Sequence, residues 1–525
     1  MHYVVGSGPC GVIAAQALLD RGAAVTLIDA GVQLEPERQA AVSRLAALPP
    51  ESWDAASVDF IRGSSASEGT DIPIKLAYGS DFPYAKGEMA QIIQDGSKCL
   101  QSFAQGGLTN LWGGSVLPNL PQDFEGWPIS YEQMRPHYAQ AARAMKIAGA
   151  RDELESLFPF HAPPAEPARP SRQAEALLAR LKANTGTLEA AGIRFGRSRL
   201  ALRTEGEDHA CRYVGLCLSG CPYSAVWTAT QLLESLMKRP NFTYRPGLKA
   251  VRVESSGARA RVICRSLNDD GNISFIGERV FLACGPISTA RLVIDSLVAY
   301  GRPFRLQFQP YFLLPLLALE NTAGVSRERL HTLAQIYLDI LDPKISPRAV
   351  HLQIYTYDEF IRQRLERAIR PLGPLRGLTR SLFEGRLLFL QGYLHSDEAE
   401  PIELKALPAP SGEACALSLH ARDQPRTRTA IRRVLFKLAA NGRRLGVLPL
   451  APMLALGIPG EGNHIGGTFP MRENPGGFET DILGRLPGLP GVHIVDSSVL
   501  PALAATTFTY TAMANAHRIA WTVAA

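Results

Sequence analysis

No part of this chain is long and apolar enough to cross a membrane as a helix. The longest strongly apolar stretch, Phe312–Leu319, is eight residues and contains Pro315, against about 20 residues for a spanning helix. No signal peptide is expected either, since Met1-His2 run straight into Tyr3-Val4-Val5 without a basic segment or a cleavage site. A cytoplasmic protein is expected, or one exported or held at a membrane through a partner subunit. There is no internal repeat and no long low-complexity tract. Nor is there a strong charge bias. Fifty-five basic against 49 acidic side chains leave +6, which does not call for nucleic acid. Charged residues are 20% and hydrophobic residues 46% of the 525. That composition excludes disorder, collagen and coiled coil as the main architecture. At roughly 150 residues per domain, the length allows about three or four domain-sized pieces.

The charge that is present is unevenly spread. Arg362, Arg364, Arg367, Arg370, Arg376, Arg380 and Arg386 crowd one stretch; Arg426, Arg428, Arg432, Arg433, Lys437, Arg443 and Arg444 crowd another. Residues 358–390 and 426–446 read as helices, so the arginines form solvated faces or meet an anionic membrane surface, a phosphate-bearing substrate or an acidic partner. Eight cysteines are present. Cys10, Cys99, Cys264, Cys284 and Cys415 stand singly and read as small buried hydrophobes. Cys211, Cys217 and Cys221 form C-x5-C-x3-C. Three thiolates so close suit a soft metal or an iron–sulfur cluster. His209 is available as a fourth ligand but is oddly placed for zinc. Free thiols or one disulfide are the other readings, the disulfide being odd in a reducing compartment.

Residues 3–31 carry the clearest motif. Tyr3–Val5 make a short buried strand, Gly6, Gly8 and Gly11 complete G-x-G-x-x-G, and Val12–Leu19 give a helix that Gly22 ends. A second strand, Ala24–Ile28, closes on Asp29, 18 residues after Gly11. Gly6 allows the tight turn, Gly8 lets a pyrophosphate approach the backbone, and Gly11 lets helix and strand pack closely. The diphosphate then sits on free N–H groups at the helix N-terminus, and Asp29 accepts from a ribose hydroxyl. This is a dinucleotide-binding unit, and the chain holds no second fingerprint.

Further motifs lie at the other end: NHIGGTFPM (Asn463–Met471) and GVHIVDSSVLPALAATTFTYTAMANAHRIA (Gly491–Ala520). In the latter, Val492–Val495 reads as a strand, Asp496 as the cap of the next turn and Thr511–Ala520 as a helix. Together with VFLACGPISTARLV (Val280–Val293), GGLTNLWGGSVLP (Gly106–Pro118) and DFEGWPISYEQMRPHY (Asp123–Tyr138), the chain resembles the glucose–methanol–choline (GMC) flavoenzymes. The cysteine run is similar to that of their bacterial sugar dehydrogenase branch, which there holds a [3Fe–4S] cluster serving a cytochrome. Residues 300–455 match far more loosely.

The resemblance implies an α/β fold: a Rossmann-like FAD-binding domain (1–118, 200–300 and 455–525) with an inserted α+β substrate domain (119–199 and 301–454) whose antiparallel sheet roofs the flavin. It implies FAD held non-covalently, since Leu111 stands where covalent relatives carry a histidine. Gly113 and Gly114 would lie against isoalloxazine and pyrophosphate, Val251 against adenine, Asp496 near the ribityl–diphosphate. Pro9, Cys10, Ala30, Gly107, Asn110, Cys284, Gly285, Phe508 and Thr509 complete the expected cofactor surroundings. His464 opens H-x-x-G-T and would be the catalytic base, since imidazole titrates near working pH. Asn463 would bind the substrate oxygen. The family's second histidine or asparagine, followed by proline, is here Thr507-Phe508. Threonine can hydrogen-bond an alkoxide but is no base near neutral pH.

Two stretches of residues 350–395 alternate. His351, Gln353, Tyr355 and Tyr357 share one face, as do Gln391, Tyr393 and His395. Gln353, Tyr355, Gln391, Tyr393 and His395 are expected to line a pocket for a hydroxylated ligand. The expected activity is oxidation of a CH–OH group of a sugar or other alcohol. A different flavin dehydrogenation or isomerisation, or a non-catalytic flavin or electron-transfer subunit, stays open, as does an electron-acceptor protein.

Overall fold

The computed structural model describes residues 1–63, 75–84, 91–206, 209–256, 259–269, 271–408 and 414–524. Its first sheet grows from the opening strand. His2–Val5 lies between Val25–Ile28 and Arg279–Leu282, with Phe242–Arg245 and Val492–Ile494 at the edges, all parallel. A parallel sheet is covered on both faces, so its strands are runs of Val, Ile, Leu and Phe rather than alternations; Val4, Leu27 and Phe281 are 0% exposed. The turn into the helix Pro9–Asp20 needs its glycines. Gly6 has φ +101°, and a Cβ on Gly11 would lie 1.9 Å from the Gly6 carbonyl oxygen. The helix then starts on Pro9, whose missing N–H does no harm there. It packs against the C-terminal helix Thr509–Val523; both carry small residues that let axes approach, with Ala14, Ala17, Ala516 and Ala520 fully buried.

A second, antiparallel sheet stands over the carboxyl ends of the first. Its order is Val447–Pro449, Tyr311–Ala318, Leu387–Tyr393, Val350–Tyr355, Ile336–Ile340, Ile193–Arg197. Period two sorts its residues. Leu314, Leu338, Leu352, Ile354 and Leu390 join a core with Leu177, Leu181, Val434 and Leu438 from the helices Arg172–Lys182 and Pro425–Ala440. The opposite face carries Tyr311, Tyr337, Asp339, His351, Gln353, Tyr355, Gln391 and Tyr393, with Gln353 opposite Gln391 and His351 opposite Tyr393.

Two expectations change here. The helical stretch expected over 358–390 is broken at Gly373-Pro374, resumes as the helix Arg376–Phe383 and gives way to a strand at Leu387. Segments expected in the substrate domain also belong to the first core. The strands Pro303–Phe308, Ile402–Leu407 and Ala416–His420 form a mixed sheet with Ile465–Gly466 and Ile92–Asp95, and Leu306, Leu404, Leu417 and the helix residues Met134 and Tyr138 pack in the same cluster as Val4. Their alternation is apolar toward that core, which length-based boundaries do not reveal.

Among the described residues, no helix is long and apolar enough to cross a membrane.

Candidate active site

Between the two sheets lies a cavity of about 900 Å³, at the upper end of the roughly 300–1,000 Å³ typical of ligand pockets. Its floor is the glycine turn. Gly6, Gly8, Pro9 and Cys10 line it beside the start of the helix Pro9–Asp20, whose N-terminus has no side-chain cap. Such an end presents free N–H groups to an anion. Asp29 closes the second strand and is 6% exposed. The Ser7 hydroxyl donates to it, as does Tyr244 at 3.1 Å. Burial still pushes its carboxyl up to about 6, so further donors such as a ribose diol would favour its charged form.

Val251 sits in a bulge. Ala250 pairs with Cys264 and Arg252 with Ile263, which leaves Val251 out of the ladder and at the cavity wall. Ala30, Gly107, Leu111, Gly113, Gly114, Cys284, Gly285, Phe508 and Thr509 also line the cavity. Asp496 lines it with its carboxylate already engaged: it accepts from Gly285 N at 3.0 Å, Thr289 Oγ1 at 2.5 Å and Ser498 N at 3.0 Å. It therefore ties two helix starts together. Two expected contacts lie behind the wall. Gly11 packs under Gly6, and Asn110 donates to the carbonyls of Gln105 and Gly107 at 2.9 and 2.7 Å. An uncapped helix start, a buried carboxylate at the end of the second strand and a Cβ-free turn together fit a dinucleotide.

His464 stands at the other end. Asn463 before it has φ +58°, a left-handed turn that asparagine tolerates, and its Oδ1 is buried with no hydrogen-bond partner among the described residues. The His464 ring stacks on Tyr393 (centroids 5.2 Å apart, 22°), meets Phe508 edge-on at 5.5 Å, and contacts Gln309 Oε1 through Nδ1. Burial first, then the Lys75 ammonium on the same cavity wall, hold its pKa down to about 4. Thr507 also faces the cavity, and its hydroxyl donates to the Ser115 carbonyl at 2.7 Å. Close by, Glu461 accepts from Lys98 Nζ at 2.9 Å and from Tyr311 OH at 3.0 Å.

The roof supplies Gln353, Tyr355, Gln391 and Tyr393 to the cavity as expected from the alternation. The Tyr355 hydroxyl lies 3.9 Å from where a Cβ on Gly113 would be, so roof and floor face each other there. That hydroxyl donates to Gln353 Oε1 at 3.0 Å; deeper in, Gln353 Nε2 is 3.3 Å from His351 Nε2, and His351 Nδ1 is 2.9 Å from Asp339 Oδ1, both residues being 0% exposed. His395 is a correction. The strand stops at Tyr393, so His395 leaves the alternation; it is 1% exposed, caps the turn Ser396–Glu398 and accepts from Asp397 N at 3.1 Å, outside the cavity.

The cysteine run is a second correction. Cys211, Cys217 and Cys221 are free thiols, and burial pushes all three up, Cys211 to about 11. Among the described residues no group of three or more His, Cys, Asp or Glu is arranged to hold a metal, so the [3Fe–4S] expectation has no support. His209 is engaged with the Tyr223 carbonyl at 3.0 Å. Several of the clustered arginines are paired locally, Arg362 with Glu359, Arg380 with Glu366 and Arg428 with Asp423; Arg364 and Arg367 border the cavity.

Sequence patterns missed Gln309, Tyr311, Tyr244, Lys75, Lys98 and Glu461. Each belongs to a stretch without a motif, and Tyr311 opens a strand, Tyr311–Ala318, that is apolar on both faces and gives no alternation to read.

No family model matches the chain. It is 24% identical over 323 residues to 6'''-hydroxyparomomycin C oxidase of Streptomyces lividus, covering 57% of this chain and 50% of the relative. It is 26% identical over 314 residues to paromamine 6'-oxidase of Streptomyces fradiae, covering 56% and 49%. The chain thus spans about half the length of the curated relatives it matches. Pyridoxine 4-oxidase from Mesorbium loti has the same fold, with a TM-score of 0.60 at 15% identity over 99% of this chain and 98% of that one. These relatives are oxidases by name, and none is a sugar dehydrogenase.

Proposed function

We propose that this protein is a GMC-type flavoenzyme, with FAD held non-covalently, that oxidises a CH–OH group of a small hydroxylated molecule to a carbonyl. Gly6, Gly8 and the start of the helix Pro9–Asp20 would hold the pyrophosphate, Asp29 the ribose, the unpaired backbone of Val251 the adenine, and Gly113 with Gly114 the flavin ring. FAD supplies the two-electron acceptor for the hydride that leaves the carbinol carbon. The remaining work belongs to the chain. His464 takes the hydroxyl proton. Its pKa near 4, below the near-neutral value expected from the sequence, keeps it unprotonated across the neutral range while making it a weaker base than a free imidazole. Tyr355, Gln391 and Tyr393 orient the substrate from the roof, and Asn463, with its unpartnered oxygen, completes the polar end of the chamber. Thr507 has its proton on the Ser115 carbonyl and acts as a wall rather than as a base. We assign the electrons to dioxygen, in line with relatives named oxidases, so that peroxide is the second product.

One observation carries this reading: among the described residues, the only imidazole on the cavity wall stands in the same chamber as the dinucleotide cradle. The test is anaerobic mixing with a panel of alcohols. The yellow purified protein is expected to bleach with its substrate, and His464→Ala to slow bleaching by roughly 10²–10⁴. A colourless protein that cannot take up FAD, or an unchanged rate in the variant, would sink it.

A further inference from the structure

We infer that Gln309 is a positioning residue that holds the imidazole of His464 in one tautomer, the proton on Nδ1 and the lone pair of Nε2 toward the chamber. The inference rests on the reading of His464 as the base.

Donors and acceptors decide the matter. Gln309 is 2% exposed. Its side-chain nitrogen donates to the carbonyls of Ala504 and, at 3.1 Å, Thr506. Backbone carbonyls only accept, so the amide cannot turn over without setting oxygen against two oxygens. With the nitrogen fixed, Oε1 is what meets His464 Nδ1, and an amide oxygen only accepts. Nδ1 must therefore carry the hydrogen. A neutral imidazole has one N–H, and burial keeps this ring neutral at ordinary pH. Nε2 is then the free base. The other nitrogen's hydrogen bond is what sets a histidine's tautomer, and without it the ring is free to carry its proton on Nε2, where it cannot accept one from an alcohol. The Gln309 backbone N–H also donates to the His464 carbonyl at 2.9 Å, so residue 309 grips residue 464 at the backbone and at the ring.

The same contacts give Thr507 a context. The chain just before it, Ala504–Thr506, orients the base through its carbonyls, with Gln309 as the link. A second ionisable side chain at position 507 is not needed for that task.

The test labels histidine with ¹⁵N in the FAD-loaded protein and reads ring-nitrogen to ring-proton correlations, the His464 signals being identified by their loss in His464→Ala. The Nδ1–H pattern is expected in the wild type; an Nε2–H pattern overturns the inference outright and needs no variant. Gln309→Met keeps the chain length but neither accepts nor donates an amide hydrogen bond. It is expected to show mixed tautomers and flavin reduction slower on the order of 10–100-fold, the scale of loss seen when the outer partner of a metal-bound histidine is removed. Gln309→Glu keeps an acceptor on Nδ1 and, held neutral by burial, offers its O–H in place of the amide donor to the Ala504 and Thr506 carbonyls; it is expected to restore the Nδ1–H pattern and part of the rate. A pure Nδ1–H pattern with full rate in Gln309→Met contradicts the proposal. Full flavin reduction by His464→Ala alongside an Nδ1–H wild-type ring would instead remove the base and leave the tautomer lock standing.

Discussion

At the scale of single residues the chamber is decided by what surrounds one imidazole. His464 is boxed by Tyr393 and Phe508 and touches Gln309, so the cost of charging it falls on the folded protein. In its proposed role as base, His464 must be unprotonated to act. With its pKa near 4 rather than 6.5, the rate constant for flavin reduction should stay level from neutral pH down to about 5 and fall only around 4. Stopped-flow reduction across that range checks this, and an acid limb near 6.5 would mean that the ring is more hydrated than the structure has it. His464 itself was legible in the sequence because the H-x-x-G-T run marks it. Gln309 was not, since its role depends on three segments, around residues 309, 464 and 505, that meet only in the folded chain. His395 shows the converse error: alternation continued on paper past the residue where hydrogen bonding to the neighbouring strand stops.

At the scale of elements, the strand–turn–helix at the N-terminus is local and was readable almost to the residue. The expected strand at 3–5 is found at His2–Val5, and the expected helix at 12–19 extends over Pro9–Asp20. Its limit is steric. A methyl on Gly11 would lie 1.9 Å from the Gly6 oxygen, far inside contact distance, so the turn must open. Gly11→Ala is expected to yield protein with little or no bound FAD, measured as the ratio of flavin absorbance to protein; full occupancy would show that the turn relaxes without harm. The arginine-rich stretch shows where periodicity misleads. Residues 359–383 are helical in pieces, while Leu387–Tyr393 is a central strand of the roof whose apolar side reads equally well as a helix face.

Across the whole molecule, burial sets an acid limit. His137, His161, His331, His464, His493 and His517 are all held near pKa 4, burial being the first cause in each. Unfolded, each titrates near 6.5, so between pH 6.5 and 4 the unfolded chain binds more protons than the folded one. Stability is full above 6.5 and drains away as the pH falls toward 4. Melting temperatures taken from pH 8 to 4 should be level above 6.5 and drop steadily below it; a flat profile would mean these rings are wetter than they look. The sequence by itself located the glycine turn and the imidazole that line the cavity, because both lie in contiguous residues whose spacing has a local geometric purpose. Only the tertiary structure decided that the segments around residues 303–308 and 402–420 complete the first core, that the three cysteines form no metal site among the described residues, and that Gln309 meets His464. Those outcomes depend on which distant segments bury their apolar sides together, and packing of that kind leaves no fixed spacing along the chain.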